Sequence, residues 1–383
     1  VTASHPTGAL ENNMTNTRRA LDVTPGVASA YATRLLRDLG WDVVKVESPD
    51  GDPMRRQPSR WGGAEGAAFE ALNAGKRSVV VDPVALAALV EAADVVVGDL
   101  RPAVLRSMGL EASAFEQWRP GRSVVSVSPF GLVGPKSDWP ATELTVQAAS
   151  GLMFLTGEAD QPPQQLAPYQ AELTGGVVAA SSALATVCAP RQTDPLRVDL
   201  SVHEAMVTHT FQATGPYAYY GEVARREQRI KAGLRMVPTS DGYVYCAPGA
   251  VNSMRMDGIA QLLNEPRLAE ERFQTAEGRM QHWNEFFGLF VPPFRTKTAH
   301  EWFEAAEAMH MTFALVQTID DLFACPHLEA REFLHELETT SGGAITTTLL
   351  PYRTTSTEPA APRPAPAAPG VDTERVLSEW TAM

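Results

Sequence analysis

Residues 170–176 read QAELTGG and hold the clearest candidate for chemistry in the chain. They contain one carboxylate, Glu172, with Ala171 beside it where another acid could stand, and Gly175 and Gly176 just after. A carboxylate beside a helix start is favoured as an anion by the helix dipole, and the glycines would let a reacting carbonyl approach backbone amides closely. Glu172 is thus a candidate nucleophile; the alternative is an acid that only complements a helix N-terminus. Other familiar chemistries lack their geometry. There is no GxSxG elbow and no GxGxxG after the first strand; GGAEG at 62–66 follows no strand. GKRS at 75–78 ends like a P-loop, but Glu70 occupies the place of its first glycine. His203 and His209 lie six apart on different helix faces, so they are read as ordinary histidines and no metal site is expected.

The elements around this segment follow from hydrophobic periodicity. ALDVT reads as a strand, YATRLLRDLG as a helix ending in glycine, and WDVVKVE as a second strand, which makes a βαβ unit. KRSVVVD, DVVVGDL and RSVVSVSPFG are further strands, continuous apolar runs of the kind buried on both faces, with the helix VALAALVEAA among them. The pattern predicts an α/β fold with a doubly wound, Rossmann-like parallel sheet. TGGVVAASSALATV is too long for a strand and rich in small residues, so it is predicted to be a helix packed closely on a neighbour. LRVDLSVHEAMVTHTFQAT gives a strand and then a helix.

After Tyr220 the composition shifts to an edge or hairpin strand, DGYVYCAPG, and amphipathic helices at MDGIAQLLNE, AEGRMQHWNEFFGLFV and AHEWFEAAEAM. The expected organisation is a flexible tail at 1–19, a large domain at 20–219 plus 331–383, and a smaller α+β domain at 220–330. ALVQTIDDLFACPHLEAREF is read as the return toward the large domain, EPAAPRPAPAAPG at 358–370 as an extended proline-rich strap, and VDTERVLSEW as a closing helix.

The chain has 383 residues, 44% of them hydrophobic, and a net charge of −13, with a pI near 5.1. That balance argues against a nucleic-acid or anionic-membrane surface, which needs basic patches, and points to small molecules or proteins as partners. The first twenty residues lack an apolar signal region and no eighteen uninterrupted apolar residues occur, so a soluble cytoplasmic protein is expected. Cys188, Cys246 and Cys325 are few and widely separated, which encodes neither a disulfide framework nor a zinc cluster.

Five ordered segments together carry a resemblance. LDVTPGVASAYATRLLRDLGWDVVKVESPDGDPMRR, LNAGKRSVVVD, ADVVVGDLRPAVLRSMGL, SVSPFGLVGP and ELTVQAASGLMFLTGEADQPPQQLAP resemble the class III CoA-transferase family, also called CaiB/BaiF. PYRTTSTEPAAPRPAPAAPGVDTERVL is similar to its C-terminal strap. The resemblance runs from about residue 20 and is weakest between 220 and 320. It implies a CoA-binding Rossmann-like domain built from both chain ends, a smaller domain, and an interlocked homodimer. It also implies acyl-CoA and a small carboxylic acid as substrates, with an aspartate that attacks the thioester.

In that family the aspartate opens Asp-x-x-Thr-Gly, which counting back from Thr174 and Gly175 places on Ala171. The racemase branch's spacing before the second glycine places the acid on Glu172. The resemblance also implies that Val81, Asp82, Asp99, Leu100 and Arg106 line the nucleotide site. Ser48 stands where many relatives carry Arg after Lys-x-Glu, and Asp99 stands where they carry an amide; Arg101, Arg106, Lys76 and Arg77 remain as nearby cations, the last two readable singly as solvated surface charge. The Gly-His-Asp motif of the racemases is Ala141-Thr142-Glu143 here, and no GGGG run follows residue 200, which disfavours the usual racemase and formyl-CoA:oxalate specificities. The leading expectation is CoA transfer through Glu172. The alternatives are an acyl-CoA racemase, isomerase or dehydratase on the same fold, and a non-catalytic member that has lost its nucleophile.

Overall fold

A computed structural model of the chain describes residues 17–58, 66–107, 122–157, 161–189, 196–226, 236–246, 256–340, 342–353 and 361–382. The tail up to residue 16, most of GGAEG, the RQTDP turn and the first residues of the strap lie outside the described residues. The chain divides into two compact units, one of residues 1–153, 165–212 and 329–383, the other of residues 154–164 and 213–328.

The first unit is built on a six-stranded sheet of β1 (Arg19–Asp22), β2 (Asp42–Val46), β3 (Arg77–Val79), β4 (Val95–Gly98), β5 (Ser123–Ser128) and β6 (Leu196–Ser201). All neighbours are parallel and the order is β3-β2-β1-β4-β5-β6, the doubly wound arrangement in which the winding reverses between β1 and β4. The period of two along each strand feeds two cores. Ala20, Val43, Val95, Val97, Val125 and Val127 point to one face; Leu21, Val44, Val96 and Val124 point to the other.

The helices that matter for the site are α1 (Val27–Asp38), α2 (Ala67–Asn73), α3 (Pro83–Ala92), α4 (Pro102–Ser107), α5 (Glu143–Ala149), α6 (Gln170–Cys188) and α7 (Val202–Val207). The predicted small-residue helix is α6, and its glycines show why its composition is so restricted. A Cβ on Gly176 would sit 2.9 Å from the Ala28 carbonyl of α1, and one on Gly175 would sit 2.9 Å from Val202 of α7. Both glycines therefore serve the close helix packing that the small-residue composition predicts. By length and composition α6 is apolar enough to cross a membrane, yet Ala171, Ala179, Ala180 and Ala183 are packed into the core of this unit.

Sequence reading treats Lys76 as a surface charge, whereas the structure buries it completely. Its ammonium donates to Asp22 (3.0 Å), the Ala30 carbonyl (2.9 Å) and Asn73 Oδ1 (2.8 Å). Asp22 also accepts from Thr33 of α1 (3.0 Å) and lies 3.6 Å from Lys45 of β2, which in turn lies 2.9 Å from Asp52. Burial alone would neutralise these groups; the opposite charges hold Asp22 below and Lys45 above their ordinary values. Lys76 is pulled down to about 8 by burial, against the attraction of Asp22. Beside them Glu47 binds Arg55 through two 2.7 Å contacts and accepts from Ser78 (2.6 Å), while the Ser48 hydroxyl donates to the Gly51 carbonyl (3.2 Å) and so closes a turn.

The strap runs along the β3 edge. Pro364 accepts from Gly75 (2.9 Å), Asp372 accepts from the Ser78 amide (2.9 Å), and Thr373 accepts from the Val80 amide (3.0 Å). These contacts satisfy edge donors that would otherwise be open to another strand. The closing helix Thr373–Thr381 then puts Val376 and Trp380 into the core with α3. An antiparallel hairpin, Leu334–Glu338 with Ala344–Thr348, was not anticipated from the sequence.

In the second unit the strands Met236–Pro238, Tyr243–Cys246 and Phe313–Leu315 form an antiparallel sheet packed on an aromatic core of Phe273, Phe286, Phe290, Phe294 and Trp302. Phe313–Leu315 belongs to this sheet, so Ala314 and Leu315, the start of the segment read as the return, still belong to the second unit, which runs to residue 328. The expected single helix AEGRMQHWNEFFGLFV is two, Ala276–Gln281 and Trp283–Phe290, broken where His282 leaves helical geometry.

Two stability outcomes follow from this packing. Asp22→Asn leaves two buried lysines short of their shared anion and is expected to cost about 3–5 kcal/mol in urea unfolding, more than Lys76→Met. Gly176→Ala is expected to cost about 1–3 kcal/mol, because the Ala28 backbone must move to admit the methyl.

Candidate functional site

A cleft opens at the carboxyl ends of β1, β4 and β5, the switch point where this sheet order is expected to bind ligands. It is lined by Pro25–Ser29 at the start of α1, Asp99 and Arg101 after β4, Val127–Pro129 at the end of β5, Ala141–Glu143 and Val146 at α5, Val202, and Glu172. Tyr169 starts α6 in the left-handed conformation, which puts Glu172 within the first turn and not ahead of the helix. Ala171 is fully buried in the core beneath. Of the two residues that motif counting nominates, only Glu172 borders the cleft.

The electrostatics of Glu172 reverse the sequence expectation. Helix-dipole reasoning favours its anion, but burial together with the negative charge of Glu143 pushes its carboxyl up to about 7. The amides that could stabilise it are already occupied: Glu143 accepts from the Ala171 amide at 2.8 Å and the Glu172 amide at 3.1 Å. The place of Glu143 in the cleft wall beside Glu172 is invisible in the sequence, because 29 positions separate the two.

Of the five positions nominated for the nucleotide, Asp99 lies in the cleft and is clasped by Arg101, whose Nε and Nη2 contact its carboxylate at 2.7–3.0 Å. Arg101 also donates to the Trp139 carbonyl (2.9 Å). The acceptor-only character of Asp99 is thus offset by a guanidinium two residues on. Leu100 is buried in the core with Val376 and Trp380, Val81 packs at the edge of that core, and Asp82 caps α3 by accepting from the Ala85 amide (2.8 Å). Arg106 is exposed at the end of α4. Among these five, only Asp99 shares the cleft with Glu172. The cleft also holds a residue that motif reading missed: Ser128, whose buried hydroxyl has no hydrogen-bond partner. Its position ending a buried parallel strand was the available signal.

The comparisons with known proteins agree with this architecture. The succinate–glutarate CoA-transferase of Agrobacterium fabrum is 27% identical over 382 residues, covering 94% of each chain. The succinyl-CoA:mesaconate CoA-transferase of Haloarcula marismortui is 28% identical over 340 residues, covering 84% of each. A CAIB/BAIF family protein from Brucella suis superposes with a TM-score of 0.83 at 23% identity, over 95% of this chain and 98% of that one. The family model described as CoA-transferase family III matches residues 17–373, and the chain belongs to that family.

Proposed function

We propose that this protein moves CoA between an acyl-CoA and a small carboxylic acid, with Glu172 as the covalent nucleophile. The observation that carries the reading is the position of Glu172 in the switch-point cleft, with Ala171 turned into the core. A Glu172 oxygen attacks the thioester carbonyl and expels the CoA thiolate, forming a mixed anhydride. The thiolate then attacks the glutamyl carbonyl, which releases the donor acid and leaves a glutamyl-CoA thioester. The acceptor carboxylate attacks that thioester, the thiolate leaves again, and its return to the acceptor's acyl carbon frees Glu172. The partly buried cleft favours this exchange over hydrolysis, and the Arg101 guanidinium, by neutralising Asp99, removes a negative charge that would repel an anionic substrate group. The relatives' names speak for dicarboxylic acids and their CoA esters as the substrate class. An interlocked homodimer belongs to the same reading; the exposed Val177 and Val178 of α6 support it by offering an apolar face.

Three outcomes check it. Incubation with succinyl-CoA is expected to give a CoA-sized mass adduct that Glu172→Gln abolishes together with exchange; an unmodified wild-type protein would sink the proposal. Because attack requires the carboxylate, the transfer rate is expected to rise with pH and level off above about 7. A raised folded-state pKa makes Glu172 a stability cost once pH passes from the unfolded value through about 7. Glu172→Gln should therefore stabilise the protein at pH 8, by about 2 kcal/mol since the cleft admits some water, and change little at pH 4.

A further inference from the structure

Glu143 is the first residue of α5 and is half-buried in the cleft wall. Its carboxylate accepts three donors: the Ala171 amide (2.8 Å), the Glu172 amide (3.1 Å) and Gln147 Nε2 (2.6 Å). Gln147 is itself buried and held in place. Its Oε1 accepts from the Leu166 amide (2.9 Å), and its Nε2 also reaches the Ala167 carbonyl (3.4 Å). Free amides at a helix start are a ready anion site, and an acid in the first turn is well placed to fold back onto them. Here that place is filled from another helix.

We infer that Glu143, oriented by Gln147, is the positioning residue of this site: it occupies the first-turn amides of α6 and thereby leaves the Glu172 carboxyl directed to the cleft. Its value for transfer rests on the reading of Glu172 as nucleophile. Its charge also opposes ionisation of Glu172. The other charged and titratable groups on the surrounding elements are otherwise engaged or more remote. Asp99 and Arg101 neutralise each other in the cleft. Tyr31 of α1 packs against Gly176, and Arg34 is paired with Asp38. On α7, His203 contacts the Ala149 carbonyl, and Glu204 follows it in the same first turn. His209 lies 3.5 Å from the Thr174 hydroxyl. Among the described residues Glu143 is the anion that acts on Glu172.

The test is a ¹³C NMR titration of glutamate-labelled full-length protein, with the Glu172 carboxyl assigned by its absence in Glu172→Gln. In Glu143→Gln the Glu172 midpoint is expected to fall from about 7 by at least one pH unit, and the acidic limb of the transfer rate should move by the same amount. The kcat on the alkaline plateau should drop about tenfold with KM for acyl-CoA within twofold, and Glu143→Asp should restore most of the midpoint. Gln147→Met, which frees Glu143 without removing its charge, is expected to shift the midpoint in the same direction and serves if Glu143→Gln fails to fold. A Glu172 midpoint unmoved in the folded variant overturns the inference. The titration reads Glu172 whether or not a CoA adduct forms, so the inference and the nucleophile reading can fail separately.

Discussion

Everything near the cleft depends on one buried carboxylate at the end of the central strand. Asp22 sits on β1 with no exposure and holds Lys45 of β2, Lys76 before β3 and Thr33 of α1 at once. Such a cluster contributes little net stability over apolar packing, but it tolerates no member's removal, because each remaining charge would lack its counterpart in a medium of low dielectric. What it supplies is register. It fixes α1 against the sheet, and α1 in turn sets where α6 can lie, since the Ala28 carbonyl meets the helix where only glycine fits. The position of Glu172 is therefore inherited through two helices from a charge pair on the opposite side of α1.

At the cleft the same logic runs in reverse. The buried cluster matches each charge with its opposite, whereas Glu143 and Glu172 place two acids together and satisfy only one of them with amides. A carboxyl held off its ordinary value by burial and a like charge, as Glu172 is, is a common sign of chemistry, because such a group is costly unless it works. The fold thus spends the first-turn amides of α6 on Glu143 and not on Glu172.

The sequence made the sheet, the small-residue helix and the strap legible because these rest on periodicity and composition, which are local. Val95–Val97 and Val124–Val127 could hardly be anything but buried parallel strands. Lys76 misled because a lysine carries no mark of burial in its own neighbourhood; its partner Asp22 lies 54 positions away. The Phe313–Leu315 strand was missed since three residues give too short a period to recognise. At the site, Glu172 could be nominated from spacing, but the choice between it and Ala171 needed the left-handed Tyr169 that sets the helix phase. Glu143 was legible as an acid and not as a neighbour.

The strap along β3 has a bearing on how the molecule assembles. The amides of Ser78 in that strand and of Val80 just past it find their acceptors in Asp372 and Thr373, separated from them by 294 and 293 positions. Closure over such a distance is slow and depends on nearly the whole chain being made first. Until it happens, a nascent Rossmann-like sheet presents one unprotected border to its surroundings, and this is the interval in which a growing copy is most exposed to pairing with the wrong strand.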